Sequence, residues 1–228
     1  MAAFTVFLFA GPFGVIELDL NLLGDVATNT GLSLLFFVQH SGMVRQSFRR
    51  WLARFIPAHY FGAIYSIVSS MVLLAVVLLW QESEQVIANA TGVWWWTART
   101  LFFLAVGGVI WGALALNGFD SLGLRLIQNR FRPSAPTSSA LAVRGPYRWV
   151  RHPLYFFVLL MIWSYPNLAV DRALFNVLWT LWILISCVFE ERDLVAEFGD
   201  RYREYQRNVP MLIPNHIAGW IDLTDDPA

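Results

Sequence analysis

The densest run of polar and aromatic residues reads Arg144-Gly145-Pro146-Tyr147-Arg148-Trp149-Val150-Arg151-His152-Pro153-Leu154-Tyr155. Pro153 suits the first position of a helix, where a missing N–H costs nothing, so His152 is expected at the helix mouth. There the leading N–H groups and the positive end of the dipole, beside Arg148 and Arg151, suit a carboxylate or a phosphate. The same arginines and tyrosines also suit plain snorkelling toward lipid headgroups. Farther on, Phe189-Glu190-Glu191-Arg192-Asp193 follows a run of seventeen mostly apolar residues. Two adjacent carboxylates at the base of a membrane span sit poorly against an anionic leaflet unless something local uses them. An antiparallel hairpin would return Glu190 and Glu191 level with His152 and Tyr155. An anion-binding mouth would then face a carboxylate pair able to take hydroxyls or a cation, which suits a zwitterionic ligand carrying a sugar.

The elements that must position these groups belong in lipid. Of 228 residues 57% are hydrophobic and only 14% charged, against about 25% charged in soluble domains, and the mean hydropathy is +0.52. A formal net charge of zero excludes a nucleic-acid binder that works by bulk basicity. All sixteen basic residues are arginine, so lysine nucleophiles, Schiff bases and a P-loop are excluded. The single cysteine, Cys187, excludes an internal disulfide framework and a multi-thiolate metal site.

Residues 60–80, 100–116, 153–170 and 173–189 meet the length and apolarity needed to cross about 30 Å of hydrocarbon, and residues 28–44, despite Gln39 and His40, make a fifth span. The apolar start, residues 3–16, is broken by Gly11-Pro12 and reads as a sixth span or a re-entrant piece. The acidic residues Glu17, Asp19 and Asp25 then mark a short loop. The expected fold is thus an all-α polytopic membrane protein of five helices, six with the N-terminal segment, in one domain over 1–228. Its parts are N-terminal spans (1–116), a connector (117–152), a helical hairpin (153–189) and a tail (190–228). Residues 45–59, 117–152 and 190–228 hold fourteen of the sixteen arginines; only Arg99 and Arg172 fall elsewhere. Positive charge collects in cytoplasmic loops, so the connector, the hairpin mouth and the tail are expected on the cytoplasmic side.

After the glutamates, Leu194, Val195, Phe198, Tyr202 and Tyr205 recur at helical spacing, which predicts an amphipathic cytoplasmic helix, either an ordinary interfacial one or a lid over the hairpin mouth. Residues 122–131 read as an interfacial helix and 132–139 as a Pro/Ser-rich linker. Gln39, His40, Asn117 and Asp120 are polar at membrane depth and are expected to face the bundle interior. They can line a ligand pocket, although helix-packing hydrogen bonds alone would also account for Gln39 and Asn117. Gly107, Gly108 and Gly112 read as sites of close helix approach. Cys187 reads as a packed, inert thiol, and His59 and His216 as solvent-facing.

Arg151-His152-Pro153-Leu154-Tyr155, followed by Glu190-Glu191 and then by Phe198-Gly199-Asp200-Arg201-Tyr202-Arg203-Glu204-Tyr205, resembles the signature of the isoprenylcysteine carboxyl methyltransferase and phospholipid methyltransferase superfamily. Phe37-Val38-Gln39-His40-Ser41 and the run from Asn117 to Arg125 are most similar to its methanethiol S-methyltransferase and nurim-like branch, from which Gly118 departs where that branch has a histidine. The resemblance implies a membrane enzyme that binds S-adenosylmethionine at the cytoplasmic face, with no metal. By the same resemblance the cofactor would meet Val143, Arg144, Gly145, Tyr147, His152, Pro153, Tyr155, Glu190 and Glu191. The methyl acceptor would be a small molecule or lipid-like, the first expectation being a thiol turned into a thioether. Arg151, Glu191 and His40 would be the catalytic groups, since a thiol reacts as thiolate and positive charge or a base favours that form. A prenylcysteine carboxylate, a phospholipid amine and a non-catalytic scaffold are the alternatives.

Overall fold

The computed structural model describes residues 2–116 and 143–214. Among these, eight α-helices run α1 Ala2–Ala10, α2 Leu22–Val44, α3 Gln46–Leu52, α4 Phe61–Leu79, α5 Gly92–Ala115, α6 Pro153–Trp163, α7 Val170–Phe198 and α8 Asp200–Asn208. Three of them, α4, α5 and α7, are long and apolar enough to cross a membrane. The protein is therefore mostly helical, but not all-α. Strand β1 (Val86–Asn89) pairs antiparallel with β2 (Asn167–Ala169), with Ala88 opposite Leu168 and an irregularity between Val86 and Ala88.

That small sheet corrects the span expected over residues 153–170. Ser164 N–H donates to the Met161 carbonyl at 3.3 Å as helix α6 ends. Tyr165 precedes Pro166, which disfavours helical backbone. Eleven helical residues rise only about 16 Å, and the chain then turns into β2. The loop expected between the last two spans is thus a strand tied to residues 85–90, with Ala90 N–H donating to the Pro166 carbonyl at 2.9 Å and Val170 N–H to Gln85 at 3.0 Å.

The described residues fall into two compact units, one of 2–95 and 165–182, the other of 96–116, 143–164 and 183–214. In the first, Phe175, Trp179 and Trp182 lie on one ridge of α7, four and three residues apart. Trp179 stacks on Phe175 at 4.7 Å and on Phe36 at 5.2 Å, and Trp182 stacks on Phe37 at 4.8 Å. The facing side of α2 supplies hydroxyls to the indoles: Trp179 Nε1 donates to Ser33 Oγ (3.3 Å) and Trp182 Nε1 to Ser41 Oγ (3.2 Å).

Two expectations about this unit's polar residues are corrected. Asp25 lies in the first turn of α2, behind an Asn21 cap, instead of in the acidic loop, because a carboxylate is favoured at a helix start. Arg172 is no loop arginine: it is 3% exposed, lies over the Tyr165 ring at 4.4 Å and donates to the Leu8 carbonyl at 3.0 Å. It thereby serves the C-terminal end of α1, whose carbonyls lack helical partners. That helix stops at Ala10 and is about 13 Å long, too short to cross a bilayer alone.

Asn29, fully buried in α2, pairs reciprocally with the backbone of Gln81, donating to its carbonyl at 2.8 Å and accepting from its N–H at 2.9 Å. Asn29→Leu strands both backbone groups without water. It is expected to lower stability by about 2 kcal/mol or more, read as a fall in the unfolding temperature of the detergent-purified protein.

In the second unit, the long amphipathic helix expected after the glutamates is broken. Gly199, at φ +58, ends α7 and starts α8. Only glycine takes that conformation readily. The break folds the apolar stripe onto itself: Tyr202, Tyr205 and Val209 are buried together against Val143, Leu194, Val195 and Phe198.

Candidate active site

α7 is about 43 Å long, more than the roughly 30 Å of a hydrocarbon layer, and its apolar run ends at Phe189. Glu190 and Glu191 lie in the polar turns that follow that run. Being consecutive on a helix they diverge by about 100°, and both reach the imidazole of His152, the residue capping α6. His152 Nε2 is 3.1 Å from Glu191 Oε1 and Nδ1 is 3.8 Å from Glu190 Oε2. Pro153 occupies the first position of α6, as its chemistry predicts. Tyr155 stacks on the imidazole at 5.6 Å.

Glu191 is a hub. Arg151 grips it bidentately, Nε to Oε1 at 2.6 Å and a terminal nitrogen to Oε2 at 3.1 Å, and Gln206 Nε2 donates to Oε2 at 2.8 Å. Burial opposes ionisation of this carboxyl, but the hydrogen bonds from Arg151 and Gln206 and the charge of Arg151 outweigh it and hold the group below the ordinary carboxylate range. Arg151 also donates to the carbonyls of Gln206 and Val209. The backbone N–H groups of Arg151 and His152 donate to the Pro210 and Met211 carbonyls at 2.9 and 3.1 Å. The segment after α8 therefore closes over the mouth of α6, and Arg151 is engaged within the protein.

Glu190 differs. Its side chain is 47% exposed against 12% for Glu191, and it faces outward beside Tyr147. Burial, and then the charge of Glu190, push the Tyr147 hydroxyl up to about 12, so it remains a donor throughout the physiological range. The Tyr147 carbonyl accepts from Tyr205, and Arg144 is exposed at the start of this turn. Gly145 has φ +55, and a Cβ there would press on Ala115 at 3.1 Å and Trp111 at 3.3 Å. Only glycine lets the backbone pass. Val143 packs into the tyrosine cluster.

A second polar cluster lies in the first unit. The Tyr65 hydroxyl is 2.8 Å from Nε2 and 3.1 Å from Nδ1 of His40, whose ring is bordered by Phe36 at 5.1 Å and Trp182 at 5.5 Å. Gln39 donates to Ser69 Oγ at 3.1 Å and to the Met43 sulfur at 3.0 Å, while its Oε1 is buried without a hydrogen-bond partner. Asn117 and Asp120, expected beside these residues, lie outside the described residues, as do Gly118, the interfacial helix over 122–131 and the linker over 132–139.

Sequence reasoning missed Gln206 and Tyr65. Nothing in the pattern around Gln206 marks it from its neighbours, and Tyr65 reads as one more aromatic in an apolar helix. A hydroxyl facing the only histidine of α2 would have required the relative rotation of α2 and α4.

Comparison with known proteins extends over both clusters. The family described as "NnrU protein" matches residues 30–212. A methanethiol S-methyltransferase of Pseudomonas deceptionensis is 36% identical over 203 residues, covering 86% of this chain and 74% of its own. One from Mycobacterium tuberculosis is 35% identical over 195 residues, 83% and 78% of the two chains. Nurim of Rattus norvegicus is 26% identical over 189 residues, 77% and 70%. No solved structure matches. With the family match running over most of its length, and relatives this similar, the chain belongs to the NnrU protein family.

Proposed function

We propose that this protein is an S-adenosylmethionine-dependent membrane methyltransferase that converts a small or lipophilic thiol to its methyl thioether. Support comes from the relatives named methanethiol S-methyltransferase and, in the structure, from one observation above the others: two adjacent carboxylates converge on a buried histidine at a helix mouth. In this reading Glu190 is the carboxylate that takes ribose hydroxyls, because it is the accessible one. Glu191 and Arg151 are positioning residues that hold His152 and residues 206–211 in place. Tyr147 and Tyr155 supply aromatic faces of the kind that attract a sulfonium. Arg144 supplies charge for a carboxylate, and Val143, Gly145 and Pro153 shape the turn. When bound, the cofactor supplies an electrophilic methyl group. The chain's own part is to orient it and to exclude water.

His40 is proposed as the group that accepts the single proton of the thiol as its sulfur takes the methyl group, with Tyr65 orienting the ring, and Gln39 as a polar group beside it in the acceptor pocket. By the resemblance to the methanethiol S-methyltransferase branch, Asn117 and Asp120 are proposed as further groups that bind the methyl acceptor. The fuller membrane architecture is part of this reading. α2 is a further crossing whose polar positions are used by the indoles of α7, while α6 is a short apolar helix that leads into β2. The single domain has its arginine-rich ends, the tail and the active site in the cytoplasm, as the arginine distribution suggests.

The test is methyl transfer from labelled S-adenosylmethionine on membranes, run with methanethiol, a longer thiol, a farnesylcysteine analogue and phosphatidylethanolamine. A methylated thiol is expected. Turnover of the farnesyl substrate or of the amine alone would reassign the acceptor, and absence of both turnover and cofactor binding would favour a non-catalytic scaffold. Glu190→Ala should weaken cofactor binding about tenfold in calorimetry, the loss of roughly one charge-assisted hydrogen bond, with the unfolding temperature unchanged.

A further inference from the structure

Between α2 and α4 the chain carries Arg45, Arg49, Arg50 and Arg54 with no acidic residue anywhere from 26 to 81. Phe48, Trp51 and Phe55 form an aromatic ladder there, with ring centroids 5.4 Å apart at each step. Trp51 is 50% exposed and Phe55 71%. Beside the ladder lies a small, half-open cavity of about 50 Å³, lined by Arg49, Leu52, Ala53, Ile56, Pro57 and Phe61. The Arg49 guanidinium lies over the Phe61 ring, 4.7 Å from its centroid. Stacking occupies the face of a guanidinium and fixes its plane, while its N–H fork, the part that binds phosphate bidentately, lies in that plane.

The depth of this cavity follows from α4. Its nineteen residues rise about 28 Å, close to the 30 Å of a bilayer's hydrocarbon core, so Phe61, its first residue, lies at the boundary where headgroup phosphates are found. We propose that this cavity is a binding site for an anionic phospholipid, with the phosphate on Arg49, the glycerol and upper acyl carbons against Leu52, Ile56 and Phe61, and Arg50 and Arg54 adding attraction for a second negative charge. Trp51 and Phe55 then lie among headgroups, where amphipathic aromatic rings are favoured. The inference is independent of the methyl acceptor and of which face of the membrane the segment occupies.

The full-length protein is purified in detergent, exchanged with phosphatidylcholine or phosphatidylglycerol, and its retained lipids are counted by native mass spectrometry. Wild type is expected to hold one phosphatidylglycerol at least fivefold more tightly than phosphatidylcholine, the ratio that about 1 kcal/mol per surface arginine gives. Arg49→Gln should abolish that preference. Leu52→Trp, which fills the cavity and keeps all four charges, should abolish it too, and each variant's unfolding temperature is measured alongside. If Leu52→Trp remains folded and retains phosphatidylglycerol like wild type, the lipid is held by diffuse charge and the site is refuted. Equal retention of phosphatidylcholine refutes it as well. So does displacement of the lipid by inorganic phosphate at equal concentration, which would mark a plain anion site.

Discussion

Glu191→Ala is expected to lower stability by about 3–5 kcal/mol, the usual result of removing one partner of a buried ion pair. The carboxylate answers Arg151, His152 and Gln206 together, and the Arg151 and His152 side chains are only 10% and 4% exposed. Alanine leaves the guanidinium in a site already closed by the Pro210 and Met211 carbonyls. The measurement is thermal unfolding of the detergent-purified protein, with Glu191→Gln as the mild comparison, because an amide oxygen can still accept from Arg151. The paired change Arg151→Met with Glu191→Leu should be less damaging than the sum of its parts, since neither charge is left alone. If Glu191→Ala unfolds at the wild-type temperature, the hub does not hold the hairpin mouth together.

Gly108→Ala and Gly107→Ala are expected to act in opposite directions. Both lie in α5, one residue apart. A Cβ on Gly108 would overlap the ring of Phe157 in α6, whereas nothing lies within 4 Å of a Cβ on Gly107. Overpacking a tight contact costs about 1–3 kcal/mol, and the upper end is expected here because an aromatic ring cannot flex away. At Gly107 the alanine carries only its better helix propensity, a gain of up to about 1 kcal/mol. Unfolding temperatures of the two variants, compared with wild type, decide it. Equal effects would mean that α5 and α6 are not in close contact. Gly112, whose Cβ would approach Leu154 at 2.9 Å, should behave like Gly108 in milder form.

Why some of this was legible in the sequence and some was not follows from what hydropathy measures. It reports the solvent of a segment and says little about its backbone. α4 was readable almost to the residue, 60–80 against Phe61–Leu79, because apolarity and helix end together there. α5 begins at Gly92, eight residues before the expected start, because Trp94, Trp95, Trp96 and Arg99 interrupt the apolar run although none of them breaks a helix. In α2 the reverse holds. Asn29 and Ser33 dilute the apolar signal while making the bonds that fix the helix to its neighbours. The end of α6 and the break at Gly199 were written plainly in Tyr165-Pro166 and in a glycine, but the apolar stripe running through both outweighed them.

At the candidate site the meeting of His152 with Glu190 and Glu191 was accessible, since a hairpin with motifs at its two open ends must bring those ends together. The ties from Gln206, Val209, Pro210 and Met211 were not, because they depend on where α8 turns back, and that is set by one glycine dihedral. The Tyr65 and His40 pair was hidden for a similar reason: helical phase is local, whereas the rotation of one helix against another is decided by packing.

The backbone bonds from Arg151 and His152 to Pro210 and Met211 also set an order of events during biosynthesis. Chains emerge and fold from the N-terminus, so α1 to α7 can be synthesised and handed to the bilayer while the mouth of α6 still lacks its final wall. During that interval Arg151 lacks its bonds to the Gln206 and Val209 carbonyls, and Glu191 lacks Gln206. Only after residue 211 has left the ribosome can the mouth close, by contacts about sixty residues apart in sequence. Late closure of this kind makes the tail the last element to lock the start of α6 in place.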